Sequence, residues 1–206
     1  MLLALAVPAV PPGRPAAPLF PAVAPILSVS PPPAESEGSA ALPRPPRPSG
    51  GPYALDPTAL AYARYRNERY GVAVEYPKAV FSREAPIGRD EGRLFVTADG
   101  SAWFSAAGER NDAAGFTARE LLRLSTAHYR EIGARVVYTR LTDRWYVVSG
   151  TQNGRRIFYE KGVLSGDGRL TGTLLIEYPL ERKSFFDPIV SRMSHSFQPA
   201  TTRIPP

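Results

Sequence analysis

Cysteine is absent from the 206 residues. That excludes thiol catalysis, disulfides, zinc–thiolate sites and a lipidated N-terminal cysteine together. It leaves the compartment open, because a well-packed exported domain can do without disulfides. Histidine is scarce: His128 and His195 are the only two, each in the middle of a predicted helix. His128 and Glu131 have i, i+3 spacing, which fits an exposed polar pair on one helix face; no further ligand pattern of a metal site accompanies either histidine. No Gly-x-Ser-x-Gly elbow, Walker lysine, EF-hand loop or paired-carboxylate motif occurs. "GDGRLTG" at 166–172 sits between strand signals without a following helix, so it reads as a hairpin turn rather than a phosphate loop. Long hydrophobic runs are missing too. The first one meets Pro8 after seven residues, far short of the ~20 that cross a bilayer. No catalytic, cofactor-binding or metal-ligating residue is assigned, and the chain is not expected to be an enzyme or to carry a cofactor.

Proline and arginine are abundant. Of 23 prolines, 15 lie between Pro8 and Pro52. A segment that dense cannot donate the hydrogen bonds of a helix or central strand, so residues 1–52 are expected to form an extended, disordered tether. Its start, "MLLALAVPAV", is similar to a signal-peptide core followed by small residues (Ala4, Ala6, Ala9), though without a basic stretch before it. The expectation is export to the periplasm or beyond, the alternative an apolar beginning to a disordered tail. Residues 53–206 are long enough to bury roughly 70% of their unfolded surface as one domain. Net charge is +6, and 22 of the 25 basic residues are Arg. They are spread without a run, so an anion-binding patch would require Arg64, Arg66, Arg69, Arg155 and Arg156 to converge in space.

Element signals begin after the prolines. Asp56-Pro57 is a helix-start pairing and predicts a short helix over 57–63. Strands follow at 65–67 and 72–76 around a turn at 69–71, the second alternating Val72, Val74 and Tyr76 inward and halted by Pro77. Residues 78–92 read as an irregular charged loop. Asp99-Gly100 between apolar runs marks a hairpin, 93–98 with 101–106. "TARE" at 117–120 is a capping box, and Leu121, Leu122, Ser125, Tyr129 and Ile132 form the stripe of a helix that Gly133 stops. Strands at 134–139, 145–151, 155–164 and 170–178 form a meander, with Asn153-Gly154 as one turn and Gly172 as a bulge. Asp187-Pro188 predicts the start of a last helix, with Phe186, Ile189, Val190, Met193 and Phe197 on its apolar side. Strand runs joined by tight turns imply an antiparallel sheet of six to seven strands flanked by helices, the α+β class. "VEYP" at 74–77 and "IEYP" at 176–179 are two strand ends stopped by proline rather than a repeat.

The pattern Tyr-x-Asn-x-x-Tyr-Gly-x-x-x-x-Tyr-Pro at 65–77 resembles the opening strands of PsbP-like domains and related bacterial exported proteins. "DRWYVVSGTQNGRRIFYEKGVL" at 143–164 and "DPIVSRMSHSF" at 187–197 resemble the central hairpin and final helix of the bacterial group. The resemblance spans about 65–197 and implies an α/β/α sandwich built on an antiparallel sheet. It also implies protein binding, and it places no functional residue.

Three readings of function follow. The leading one is a non-enzymatic exported domain that binds a protein or cell-envelope component. A second is a small-ligand-binding or hydrolase-like enzyme with a site built from loop residues such as Arg89, Asp90 and Glu91. A third is an anion- or nucleic-acid-binding module using the Arg surplus with Trp103, Phe104, Trp145, Tyr146, Phe158 and Tyr159. Adjacent aromatics on a strand point to opposite faces, so half of each pair is expected to serve the core.

Overall fold

In this computed structural model residues 55–112 and 115–199 are described, and among them nine strands and two α-helices make up the fold. The signal-like start and proline-rich tether read at 1–52 lie outside them. The strands are β1 (Ala63–Arg66), β2 (Ala73–Tyr76), β3 (Arg83–Ile87), β4 (Gly92–Val96), β5 (Trp103–Arg110), β6 (Arg135–Leu141), β7 (Trp145–Gln152), β8 (Arg156–Leu164) and β9 (Leu170–Pro179). The helices are α1 (Ala118–Glu131) and α2 (Lys183–Ser196). β1 and β2 form a separate antiparallel pair; the other seven strands form one antiparallel sheet in the order β3-β4-β5-β9-β8-β7-β6. The architecture is α+β with layers on both sheet faces, as expected.

Strand alternation divides the core in two. One cluster joins Val72, Val74 and Tyr76 of the β1–β2 layer to Phe95, Phe104, Leu174 and Ile176 of the sheet and to Phe186, Ile189 and Met193 of α2. Phe95 and Phe104, cross-strand partners on β4 and β5, stack at 4.5 Å. On the opposite face, Leu121 and Tyr129 of α1 pack on Tyr146, Val148 and Phe158. α1 touches β6, β7 and β8, whereas α2 touches β2, β9 and β8. The helices therefore sit on opposite faces, α1 toward the β6 end of the sheet and α2 over its centre.

Several elements depart from the sequence expectation. Asp56 caps a single turn through Thr58 and no helix follows, because the chain must extend by Ala63 to pair with β2. The loop expected at 78–92 contains β3, an edge strand whose exposed "REAPI" gives no alternation to detect. α2 starts at Lys183 rather than at the Asp187-Pro188 step. A short 3-10 turn at Leu180–Arg182 feeds it, and Asp187 instead accepts from Tyr178 at 3.1 Å and pairs with Lys183. Ile132 caps α1 and is 44% exposed instead of joining the buried stripe. The capping box, the Gly133 stop at φ +77° and the Asn153-Gly154 turn, both residues at positive φ, form as expected.

Gly172 marks a close approach and not a bulge: pairing runs through it on both sides without a register shift. The bulge lies in β6, between Val136 and Tyr138. A Cβ at Gly172 would stand 2.5 Å from Cγ1 of Val72, a fully buried, β-branched side chain with little rotamer freedom. Gly172→Ala should therefore destabilise the domain by about 1–3 kcal/mol, read as a lower urea midpoint at unchanged m. An unchanged midpoint would show that the β2 layer is not pressed against the sheet.

Candidate functional site

The most polar feature of the interior is Glu160. It lies on β8 two residues beyond Phe158, on the face under α1, and is 5% exposed. Ser125 Oγ and Tyr146 Oη donate to its Oε1 at 2.8 and 2.7 Å, and Tyr129 Oη donates to its Oε2 at 2.8 Å. Tyr129 also stacks on Phe158 at 3.8 Å. Burial, reinforced by the adjacent Glu160 charge, pushes both tyrosine hydroxyls well above their usual range, so they remain donors at neutral pH. With both carboxylate oxygens engaged by buried donors, this group anchors α1 to the sheet rather than meeting a substrate. The sequence reading missed it. Its signal was alternation in "IFYEKG", which puts Glu160 on the same face as the core residue Phe158.

The offset helices leave two parts of the sheet uncovered. Beside α1, strand register places Leu94, Val96, Trp103, Leu175 and Glu177 on one half-covered face. Glu177 pairs with Arg156 at 3.2 Å, and Glu109 on the same face accepts from Thr171 Oγ1 at 3.2 Å. Desolvation raises both carboxyls, with Arg156 opposing the rise at Glu177. Beside α2, over β6–β8, register collects Arg135, Tyr138, Arg140, Trp145, Tyr159 and Lys161. The Arg140 guanidinium and Lys161 Nζ lie 5.3 and 5.5 Å from the centre of the Trp145 ring, within cation–π range. Tyr159 Oη meets Ser194 Oγ of α2 at 2.7 Å, and Lys161 Nζ donates to the Ser194 carbonyl at 2.6 Å. Burial lowers the Lys161 ammonium below its usual range. No carboxylate among the described residues of β6, β7 and β8 points to this face.

The residues singled out from sequence are scattered. Arg64 bonds Gln198 and Arg69 bonds the Arg89 carbonyl, on the β1–β2 layer. Arg156 points to the opposite sheet face, and Arg155 sits in the β7–β8 turn, its carbonyl accepting from Leu180. The five arginines, Arg66 included, thus form no single patch. Arg89, Asp90 and Glu91 occupy the β3–β4 turn. Their carbonyls accept from Arg69, Asn67 and Gly108, which docks that turn onto its neighbours. His128 and Glu131 are exposed on α1, and His195 meets the Ser191 carbonyl on α2. The aromatic pairs divide as expected: Phe104, Tyr146 and Phe158 are buried, while Trp103, Trp145 and Tyr159 are half-buried. Trp103 faces away from the other two, so the six form no common stacking platform.

At one end of the sheet a cleft of about 840 Å³ lies among Arg110, Asp112, Arg144, Asp167 and Arg169. Arg110 pairs with Asp112, and Asp167 accepts from Ser165 Oγ and the Arg169 amide. Asn111 ties the loops through Phe116 and Gly168. Among the described residues no three His, Cys, Asp or Glu side chains converge to hold a metal.

No protein-family model matches the sequence, and no curated protein matches it. Solved structures do. Cyanobacterial PsbP (CyanoP) from Synechocystis sp. PCC 6803 aligns with a TM-score of 0.51 at 14% identity, over 67% of this chain and 92% of that one. The Ran-binding protein Mog1p of Saccharomyces cerevisiae aligns at 0.50 and 9% identity, over 71% and 99%. The fold is the PsbP-like α/β/α sandwich. Identity this low carries the PsbP-like architecture and no residue roles.

The Glu160 cluster has a measurable signature. Tyr129→Phe removes a donor to a buried carboxylate and should cost about 1.5–3 kcal/mol in urea unfolding. Because the folded tyrosine pKa lies above the unfolded value of about 10, its contribution is complete below pH 10 and is lost as pH rises through the folded value. Stability should therefore fall with rising pH in the alkaline range, less steeply in a Tyr129→Phe/Tyr146→Phe double variant. An identical alkaline limb in both proteins would remove the cluster from this role.

Proposed function

We propose that this chain is a non-enzymatic, exported binding domain, carried on a proline-rich tether, whose partner is a protein or a component of the cell envelope. One observation carries the reading: the uncovered face over β6–β8 presents Tyr138, Trp145 and Tyr159 beside Arg140 and Lys161, next to a sheet edge. Half-exposed aromatics flanked by cations are the composition of interface centres. The polar groups elsewhere support it, since Glu160, Asp167, Asn111 and the carbonyls of the 89–91 turn are engaged in holding the fold. Fold likeness to a Ran-binding protein agrees with protein binding without naming this partner. Export rests on the signal-like start alone, and no helix among the described residues is long and apolar enough to cross a membrane.

The basic charge of the same face favours a second reading, an anion- or nucleic-acid-binding module. It is the weaker of the two, because Arg140 and Lys161 already occupy space over the Trp145 ring that a stacked base would need.

Affinity capture from an envelope extract with the full chain tests the first reading. A retained protein should be lost at least tenfold with Trp145→Ser, while a panel of ester, phosphate and glycoside substrates should show no turnover. Retention indifferent to Trp145→Ser, or saturable turnover, would sink it.

A further inference from the structure

We infer that the β6 edge takes an extended, acidic segment of a partner protein as an additional strand, with side chains of that segment meeting the Trp145 face. This rests on the binding reading above and specifies its geometry and the partner's chemistry. The sheet has two edges, β3 and β6. β3 contains Pro86, which has no N–H to offer. β6, "RVVYTRL", has neither proline nor acid.

Pairing alternation shows which backbone groups of β6 face outward. The Thr142 amide donates to the Trp145 carbonyl at 2.9 Å. In an antiparallel ladder hydrogen-bonded and non-hydrogen-bonded pairs alternate. Arg140–Val147 and Tyr138–Ser149 are therefore inward-bonding pairs, and Thr139 and Leu141 turn their N–H and C=O groups to the open edge. Side chains at this edge are unusually apolar for a surface. Of the five exposed large hydrophobic residues described, Val137 and Tyr138 lie here, at 61% and 49% exposure. An exposed edge with such side chains is a template for strand addition.

Charge selects the occupant. Arg135 and Arg140 share the α2-side face of β6 with Lys161 two strands in, and no carboxylate of these strands faces them. Glu131 belongs to α1 on the opposite sheet face, and Asp143 in the hairpin turn lines the cleft with Arg144. A second copy of this chain would bring its own Arg135 and Arg140 against these, and like charges on paired strands repel. An acidic segment, alternating carboxylate and apolar side chains, meets both the cations and the apolar residues. The β6 bulge limits regular pairing to Tyr138–Leu141, so the contact is short and binding reversible.

The probe is an acetylated, amidated heptapeptide alternating Glu and Val, titrated at low salt into the ¹⁵N-labelled full chain. The Thr139 and Leu141 amides should shift, and their hydrogen exchange should slow at least tenfold at saturation. Arg140→Glu/Lys161→Glu should weaken binding at least tenfold while leaving amide shifts remote from β6 in place. A peptide with N-methylated backbone amides on its bonding side should lose binding to a similar degree. The inference is overturned by shifts centred on Trp103 or the Arg110–Arg169 cleft, by undiminished binding of the methylated peptide, or by no shift at millimolar peptide. Tighter binding of a ten-residue thymidine oligonucleotide at the same face would also overturn it. A captured partner lost with Trp145→Ser but indifferent to the peptide would refute this strand addition and leave the binding-domain reading intact.

Discussion

The pairing of β5 with β9 is the constraint on which the rest of the structure depends. Trp103–Arg110 and Leu170–Pro179 meet over eight residue pairs, although α1 and three strands separate them in the chain. Without that contact there would be a three-stranded sheet β3–β4–β5 and a four-stranded sheet β9–β8–β7–β6, and the core cluster that draws on both would be split. β9 is bonded on both sides and alternates fully: Leu170, Leu174, Ile176 and Tyr178 enter the core beside α2, and Thr173, Leu175 and Glu177 face the other way. Gly172 belongs to the same constraint, because the β2 layer can seat Val72 on the sheet only where the central strand has no side chain.

Once the sheet is seven strands wide, one helix cannot cover either face. A helix is about 10 Å across with its side chains, whereas seven strands at 4.7–4.9 Å spacing span about three times that. α2 and the β1–β2 layer together close one face from β4 to β9 and reach only the near side of β8, and α1 closes the other over β6–β8. What remains open follows from this arithmetic of widths. Trp103 and Trp145, on opposite faces and toward opposite ends, mark the two remainders. Exposed aromatic surface here is a consequence of architecture that loop substitutions could not remove, and the charge around each remainder differs: Glu109 and the Glu177–Arg156 pair near one, Arg140 and Lys161 at the other.

Where local chemistry decides structure, the sequence was legible. The Thr117–Glu120 capping box, the Asp99-Gly100 and Asn153-Gly154 turns and the alternation in β5, β7, β8 and β9 gave the α+β class and the strand succession. Where tertiary context decides, it was not. Asp56-Pro57 and Asp187-Pro188 are equal helix-start signals by residue type. The first lies where the chain must become β1, and the second one turn inside α2, because the 3-10 turn after β9 already sets the helix direction. β3 escaped notice because an edge strand with an exposed side-chain set needs no hydrophobic period. The candidate face was half legible. Alternation split the aromatic pairs correctly, yet nothing in the sequence says that Trp145 and Tyr159 share a face with Tyr138, because that depends on register across three strands and on the β6 bulge.

The bulge links stability to recognition. Soluble proteins keep sheet edges from sticking together by bulges, charges and short lengths, and β6 has all three: Val137 displaced from the ladder, Arg135 and Arg140, and only four regular residues after the bulge. Those devices exclude hydrophobic or basic strands, including the same edge of another copy. They do not exclude an acidic one, for which the arginines are an attraction instead of a barrier. In the proposed strand addition, selectivity at this edge thus comes from electrostatic sign acting on an otherwise general backbone contact.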